Sequence, residues 1–272
     1  MTSPKMETVI SADGTSIAYK RTGSGPPLIL VHGSGAVDSR YWTMVGVTSK
    51  FADYCTVLAI DRRGRGGSGD GPVYALKREF EDVVAVIEAI DEPVNLLGHS
   101  FGGIVALEAV SSTRNVARLI LYEPFVTATC DAAGGIREAF DEVGRLVDRG
   151  EHEAALVHFL SEIASLSDET IASRQAGEHW ADRVAAVPTI VREDLAMREY
   201  AFEPDRVADI NVPTLLLVGD RSPMMFHETA EMVAEALPDA TNNVLEDQGH
   251  IAMDTATGLF AEEVVGFIRD ND

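Results

Sequence analysis

The sequence predicts an α/β fold: a mostly parallel sheet flanked by helices, with a helical insertion after the sixth strand. Three observations lead there. Short runs that are apolar throughout, as strands buried on both faces are, alternate with helix-spaced segments up to residue 124. From 126 to 205 the pattern is helical and no strand-like run occurs. Alternation then resumes at Val212.

Taken in order, residues 8–10 and 16–20, separated by Ala12-Asp13-Gly14, read as an opening hairpin. Residues 27–31 form an apolar strand that ends in His32-Gly33-Ser34-Gly35. One helix is expected over 42–51. The next strand, 55–60, stops at Asp61-Arg62-Arg63-Gly64-Arg65-Gly66-Gly67-Ser68-Gly69. Residues 76–90 place Phe80, Val83, Val84, Ile87 and Ile90 at helical spacing. A strand over 94–97, a tight turn and a helix over 104–110 follow, then a strand over 116–122 that ends at Glu123-Pro124. In the insertion, helices are expected over 136–147, 152–163, 168–176, 180–187 and 189–200. After it come a strand over 212–218, a helix over 226–237, a strand over 243–246 and a helix over 255–268. The division is therefore a core of 1–125 and 206–272 and a helical lid of 126–205.

Composition narrows the class. The chain has 272 residues, 46% of them hydrophobic, enough for one large core. Its formal charge of −22 would repel nucleic acid and anionic membrane surfaces, so neither is an expected partner. No apolar run is long enough to span a bilayer, and the first 25 residues lack a signal core. Two cysteines, Cys55 and Cys130, argue against a disulfide scaffold. A cytoplasmic location is expected, and a homodimer is left open.

Gly98-His99-Ser100-Phe101-Gly102 fits G-x-S-x-G between a strand and a helix, the setting of a nucleophile elbow. Side chains at Gly98 or Gly102 would collide with the crossing strand and helix, and the turn exposes Ser100. A serine hydroxyl needs a base, and the base needs an orienting group. His250, in a loop between the last strand and the last helix, is the candidate base; that loop faces the same rim as Ser100. The N–H groups of Phe101, at a helix N-terminus, and of Ser34 are the candidate oxyanion donors. His32 and His99 read as structural.

His32-Gly33, the Asp61–Ser68 run, Gly98 to Gly103 and Gly249-His250 occur in the order of the cap-bearing α/β-hydrolases, and the chain resembles that family over nearly its whole length. The resemblance implies an eight-stranded sheet with an antiparallel second strand, and acyl transfer without metal or cofactor. It also implies that Asp61 to Gly69 is a structural loop shaping the rim.

The triad acid departs from the family pattern. In most of these enzymes it lies three residues after the glycine that ends the seventh strand. Here that position is Ser222, with Asp220 two residues early. Haloalkane dehalogenases and lactonases similar to zearalenone hydrolases can instead place a glutamate after the sixth strand, where this chain has Glu123. Glu123 is the favoured acid and Asp220 the alternative. Glu123 could also serve only as a cap on the turn into the insertion. Those dehalogenases and the epoxide hydrolases carry aspartate at the elbow, so Ser100 disfavours both activities. A small to medium apolar ester or lactone is the expected substrate. Trp180, Met224 and Phe226 are candidate substrate contacts. An acyltransferase, a carbon–carbon bond hydrolase and a receptor-like ligand binder are the alternatives.

Overall fold

The computed structural model describes residues 5–126 and 135–270. Eight strands form one sheet: β1 (Lys5–Ile10), β2 (Ser16–Gly23), β3 (Pro27–Val31), β4 (Thr56–Ile60), β5 (Val94–His99), β6 (Val116–Tyr122), β7 (Thr214–Gly219) and β8 (Ala240–Leu245). Their order is β1-β2-β4-β3-β5-β6-β7-β8. β2 runs antiparallel to both its neighbours, and every other pairing is parallel. Strands β3, β5 and β7 are buried along their whole length, which explains their mostly apolar sequences.

Helices Leu76–Glu88 and Phe101–Val110 pack side by side, and Val47–Ala52 packs on Thr257–Arg269 through Phe51 and Phe260. One expected helix is broken. The segment read as 42–51 is Arg40–Met44 and Val47–Ala52, because Gly46 turns left-handed at φ 81°. The last helix, expected over 255–268, is Thr257–Arg269, and a short helix, Ala252–Thr255, precedes it.

Between β6 and β7 the described residues contain helices and no strand: Ile136–Asp148, His152–His158, Asp168–Gln175, Trp180–Ala185, Val187–Arg198 and Pro204–Val207. His152–His158 runs on into a π-helical turn, Phe159–Ile163. Residues 127–134 at the start of the expected lid lie outside the described residues, as does Cys130; Cys55 is buried and free. Among the described residues no helix is long and apolar enough to cross a membrane.

Candidate active site

Strand register builds the site. His99 of β5 pairs with Tyr122 of β6, and Tyr122 pairs with Leu217 of β7. The next residues, Ser100 and Glu123, therefore leave adjacent strands side by side at the carboxyl edge. Both have left-handed backbones, with φ 56° at Ser100 and φ 46° at Glu123. Non-glycine residues pay strain for that conformation, and it gathers at functional sites. At the elbow, a Cβ on Gly98 would press on the helix backbone at Gly102, and one on Gly102 would press on the Val31 carbonyl of β3. Only glycine lets strand and helix approach this closely.

The loop after β8 returns to this edge and carries His250. Its Nδ1–H donates to Glu123 Oε2 at 2.6 Å. Glu123 is fully buried. Its other oxygen, Oε1, accepts from the Ser222 hydroxyl at 2.5 Å and from the Gly219 N–H at 2.8 Å. The residue at the usual acid position thus holds the carboxylate instead of replacing it. Asp220 is exposed, and the Ser222 N–H donates to Gly219 O.

Two residues hold the His250 loop: Tyr122, which no local pattern marked, and His99, which was expected to be structural. The Tyr122 hydroxyl donates to Gly249 O and accepts from the Ala252 N–H. His99 donates through Nε2 to the His250 carbonyl at 2.9 Å, and its ring lies 4.7 Å from the His250 ring. Burial, with His250 beside it, pushes the His99 imidazole well below its ordinary pKa. His32 is a loop anchor: Nδ1–H donates to Gly33 O at 2.9 Å, and Nε2 faces the Arg62 N–H. Burial and the charges of Arg62 and Arg65 lower its pKa to about 3. Asp61 accepts from the Ser39 and Gly67 N–H groups, which fixes the rim loop.

Two small cavities meet Ser100. One, of about 30 Å³, is lined by Gly33, Ser34, Tyr41, His99, His250 and Arg174 among others. The other, of about 20 Å³, is lined by Ser34, Phe101, Phe140, Phe159, Met197 and Glu193 among others. Phe159 of the π-helical turn lines both cavities. Ser34 and Phe101, the expected oxyanion pair, thus flank Ser100 in one cavity.

The expected substrate contacts need correction. Met224 is 66% exposed, because the first helical turn after Pro223 sends Met225 and Phe226 inward and Met224 outward. Phe226 stacks on His250 with ring centroids 4.4 Å apart and lines neither cavity, so it backs the imidazole. Trp180 donates from Nε1 to Glu153 Oε1 at 2.8 Å and lines neither cavity. Its partner is within the insertion. Among the described residues no group of three or more His, Cys, Asp or Glu side chains is placed to hold a metal ion.

Residues 28–263 match the alpha/beta hydrolase family. An alpha/beta hydrolase from Sphaerobacter thermophilus superposes with a TM-score of 0.79 at 31% identity, over 96% of this chain and 100% of that one. A 2-hydroxymuconate semialdehyde hydrolase from Pseudomonas sp. strain CF600 is 27% identical, over 99% of this chain and 96% of the relative. The esterase RhEst1 from Rhodococcus sp. ECU1013 shares the fold, with a TM-score of 0.74 at 23% identity over 97% of this chain and 98% of that one.

Proposed function

The chain belongs to the alpha/beta hydrolase family, and on that premise we propose that it is a serine hydrolase cleaving a carboxylic ester or lactone of a small to medium apolar molecule. The observation that carries this reading is the 2.6 Å bond from Glu123 to His250, on a histidine that shares a cavity with the strained Ser100. In this reading the carboxylate fixes the tautomer with its proton on Nδ1, which leaves Nε2 free to accept the Ser100 proton. Ser100 Oγ attacks the carbonyl carbon, and the N–H groups of Ser34 and Phe101 stabilise the oxyanion. His250 then gives the proton to the departing alkoxide, an acyl-enzyme remains, and water releases the acid by the same steps. The insertion acts as a lid that walls the acyl pocket with Phe140, Phe159 and Met197.

A second reading is supported by one relative. 2-Hydroxymuconate semialdehyde has no ester, so a hydrolase for it uses water to cut a carbon–carbon bond. The same serine and histidine could do so here.

Replacing Ser100 tests both. Ser100→Ala should keep the fold and lower turnover by roughly 10⁵-fold or more. A fluorophosphonate should add to the wild-type protein at Ser100, as located by mass spectrometry. An adduct elsewhere, or an active alanine variant, would remove Ser100 from the reaction. Turnover of p-nitrophenyl esters and lactones, set against vinylogous 1,5-diketones, ranks the two readings.

A further inference from the structure

The cavity that runs from Ser100 under Phe140, Phe159 and Met197 is largely apolar, yet Glu193 of helix Val187–Arg198 forms part of its wall. This side chain is 2% exposed. Its Oε1 accepts from Nη2 of Arg62 and Nη2 of Arg65, each at 2.9 Å. Its Oε2 is buried and has no hydrogen bond among the described residues. The Ser34 hydroxyl lies close enough to act on the carboxylate as a hydrogen-bond donor that helps to lower its pKa, yet its geometry leaves Oε2 unsatisfied. Asp194, the other carboxylate on this wall, is already taken by Arg198.

Glu193 stays ionised. Burial opposes the charge, but the guanidiniums of Arg62 and Arg65 outweigh it and hold the pKa at about 2. The cavity therefore contains a fixed acceptor that never donates. Arg62 Nη1 and Arg65 Nε are also unpaired, but neither side chain lines this cavity. The Ser100, His250 and Glu123 arrangement is complete without Glu193. A buried carboxylate oxygen without a donor is costly, so its retention beside the nucleophile calls for a partner that arrives from outside.

We infer that Glu193 determines specificity: its Oε2 accepts a hydrogen bond from a hydroxyl or N–H on the part of the substrate lodged in this cavity. That this part is the acyl group rests on the serine hydrolase reading. Apolar walls alone discriminate weakly between isosteres, whereas a buried polar group left unpaired rejects the analogue that lacks its partner. A ketone or ether oxygen at the same place would face the carboxylate as a second acceptor and be disfavoured.

The test uses Ser100→Ala, so that binding is read without turnover. Dissociation constants are measured by ligand-observed NMR for butanamide, 2-hydroxybutanamide, 3-hydroxybutanamide and 3-oxobutanamide. One hydroxy compound should bind about 10-fold or more tighter than butanamide, and the oxo compound more weakly than butanamide, as expected for a bond to a charged acceptor. In Ser100→Ala/Glu193→Gln the glutamine carbonyl turns to the two arginines and its amide N–H faces the cavity. The hydroxyl preference should then shrink and the oxo compound should gain. Equal affinities for the four ligands in Ser100→Ala, as would follow if a water satisfied Oε2, would overturn the inference. So would a hydroxyl preference that Glu193→Gln leaves unchanged. If the double variant fails to fold, the ligand series on Ser100→Ala still decides. Fluorophosphonate labelling of the wild-type protein reports on the serine hydrolase reading separately.

Discussion

On the sheet side of the Ser100 cavities, position comes from strand register and from short hydrogen bonds with few charges. Ser100 and Glu123 emerge from neighbouring strands, and Glu123 is held by Ser222, Gly219 and His250. On the insertion side, position comes from guanidinium contacts that cross to the core. Glu193 is bound by Arg62 and Arg65, Arg174 by Asp254, Arg192 by Asp70, and the Tyr200 hydroxyl donates to Glu108. Arg183 donates to the Gly35 carbonyl at 2.7 Å. Register transmits the rigidity of the whole sheet to Ser100 and Glu123. The partly exposed pairs of that seam, Arg174 with Asp254 and Arg192 with Asp70, transmit less, and salt weakens them, whereas the buried Glu193 pairs are screened much less. The two sides are thus built to different tolerances, with Ser100 and Glu123 on the stiffer one.

The largest effect that separates the sides should come from Tyr122→Phe. The lost hydroxyl leaves the Gly249 carbonyl and the Ala252 N–H without their partner. Leaving such groups unpaired costs about 1–3 kcal/mol. Because that loop carries His250, kcat should fall about 10-fold with KM nearly unchanged. Chemical denaturation and steady-state kinetics measure the two quantities. An unchanged kcat would mean that the His250 loop is held by other bonds.

Acid should weaken the sheet side next. His32 has a folded pKa of about 3, below its ordinary 6.5, and the unfolded chain therefore binds the proton first. The neutral ring contributes its full stability above about pH 6.5. As pH falls from there toward 3, that contribution is lost at about 1.4 kcal/mol per pH unit. Unfolding free energy measured against pH in wild type and His32→Gln should differ in slope by one proton over this window. Equal slopes would mean that His32 is charged in the fold.

Salt should act on the insertion and by less. An exposed ion pair contributes about 0.2–1 kcal/mol. Raising salt from 0.1 to ~1 M cuts the screening length from about 10 to about 3 Å. Hydrogen exchange should then quicken in helices Trp180–Ala185 and Val187–Arg198 while the β5 and β6 strand ends stay as they were. Equal acceleration in both regions would erase the distinction.

The same contrast explains what could be read from the sequence. The strands, the elbow and the His250 loop were legible because each is a local pattern: an apolar run, a glycine-framed serine, a loop histidine after the last strand. Glu123 was legible through a gap, since Ser222 sits where a carboxylate was due. That Ser222 would then bind Glu123 was not, because it depends on β6 and β7 lying side by side. Tyr122 read as the last residue of a buried strand, and nothing local marks a hydroxyl that reaches a loop 127 residues on. On the insertion side, apolar and aromatic content pointed to Trp180, yet the cavity wall there is Phe140, Phe159, Met197 and Glu193. Helical periodicity tells which face is buried, not which buried residue meets a cavity. A buried glutamate in a helix looks like any surface glutamate until the arginines of another segment are placed against it.

The central claim, that Glu123 is the carboxylate working through His250, is tested most directly by comparing Glu123→Gln with Asp220→Asn. Both variants keep the side-chain shape and remove one charge. Glu123→Gln should lower turnover by about 10⁴-fold, the loss typical when the orienting acid is neutralised and the wrong tautomer is favoured. Asp220→Asn, at an exposed position with no bond to His250 among the described residues, should stay within about 2-fold of wild type. The reverse ranking would hand the role to Asp220 and leave Glu123 as a buried structural brace between β6 and β7.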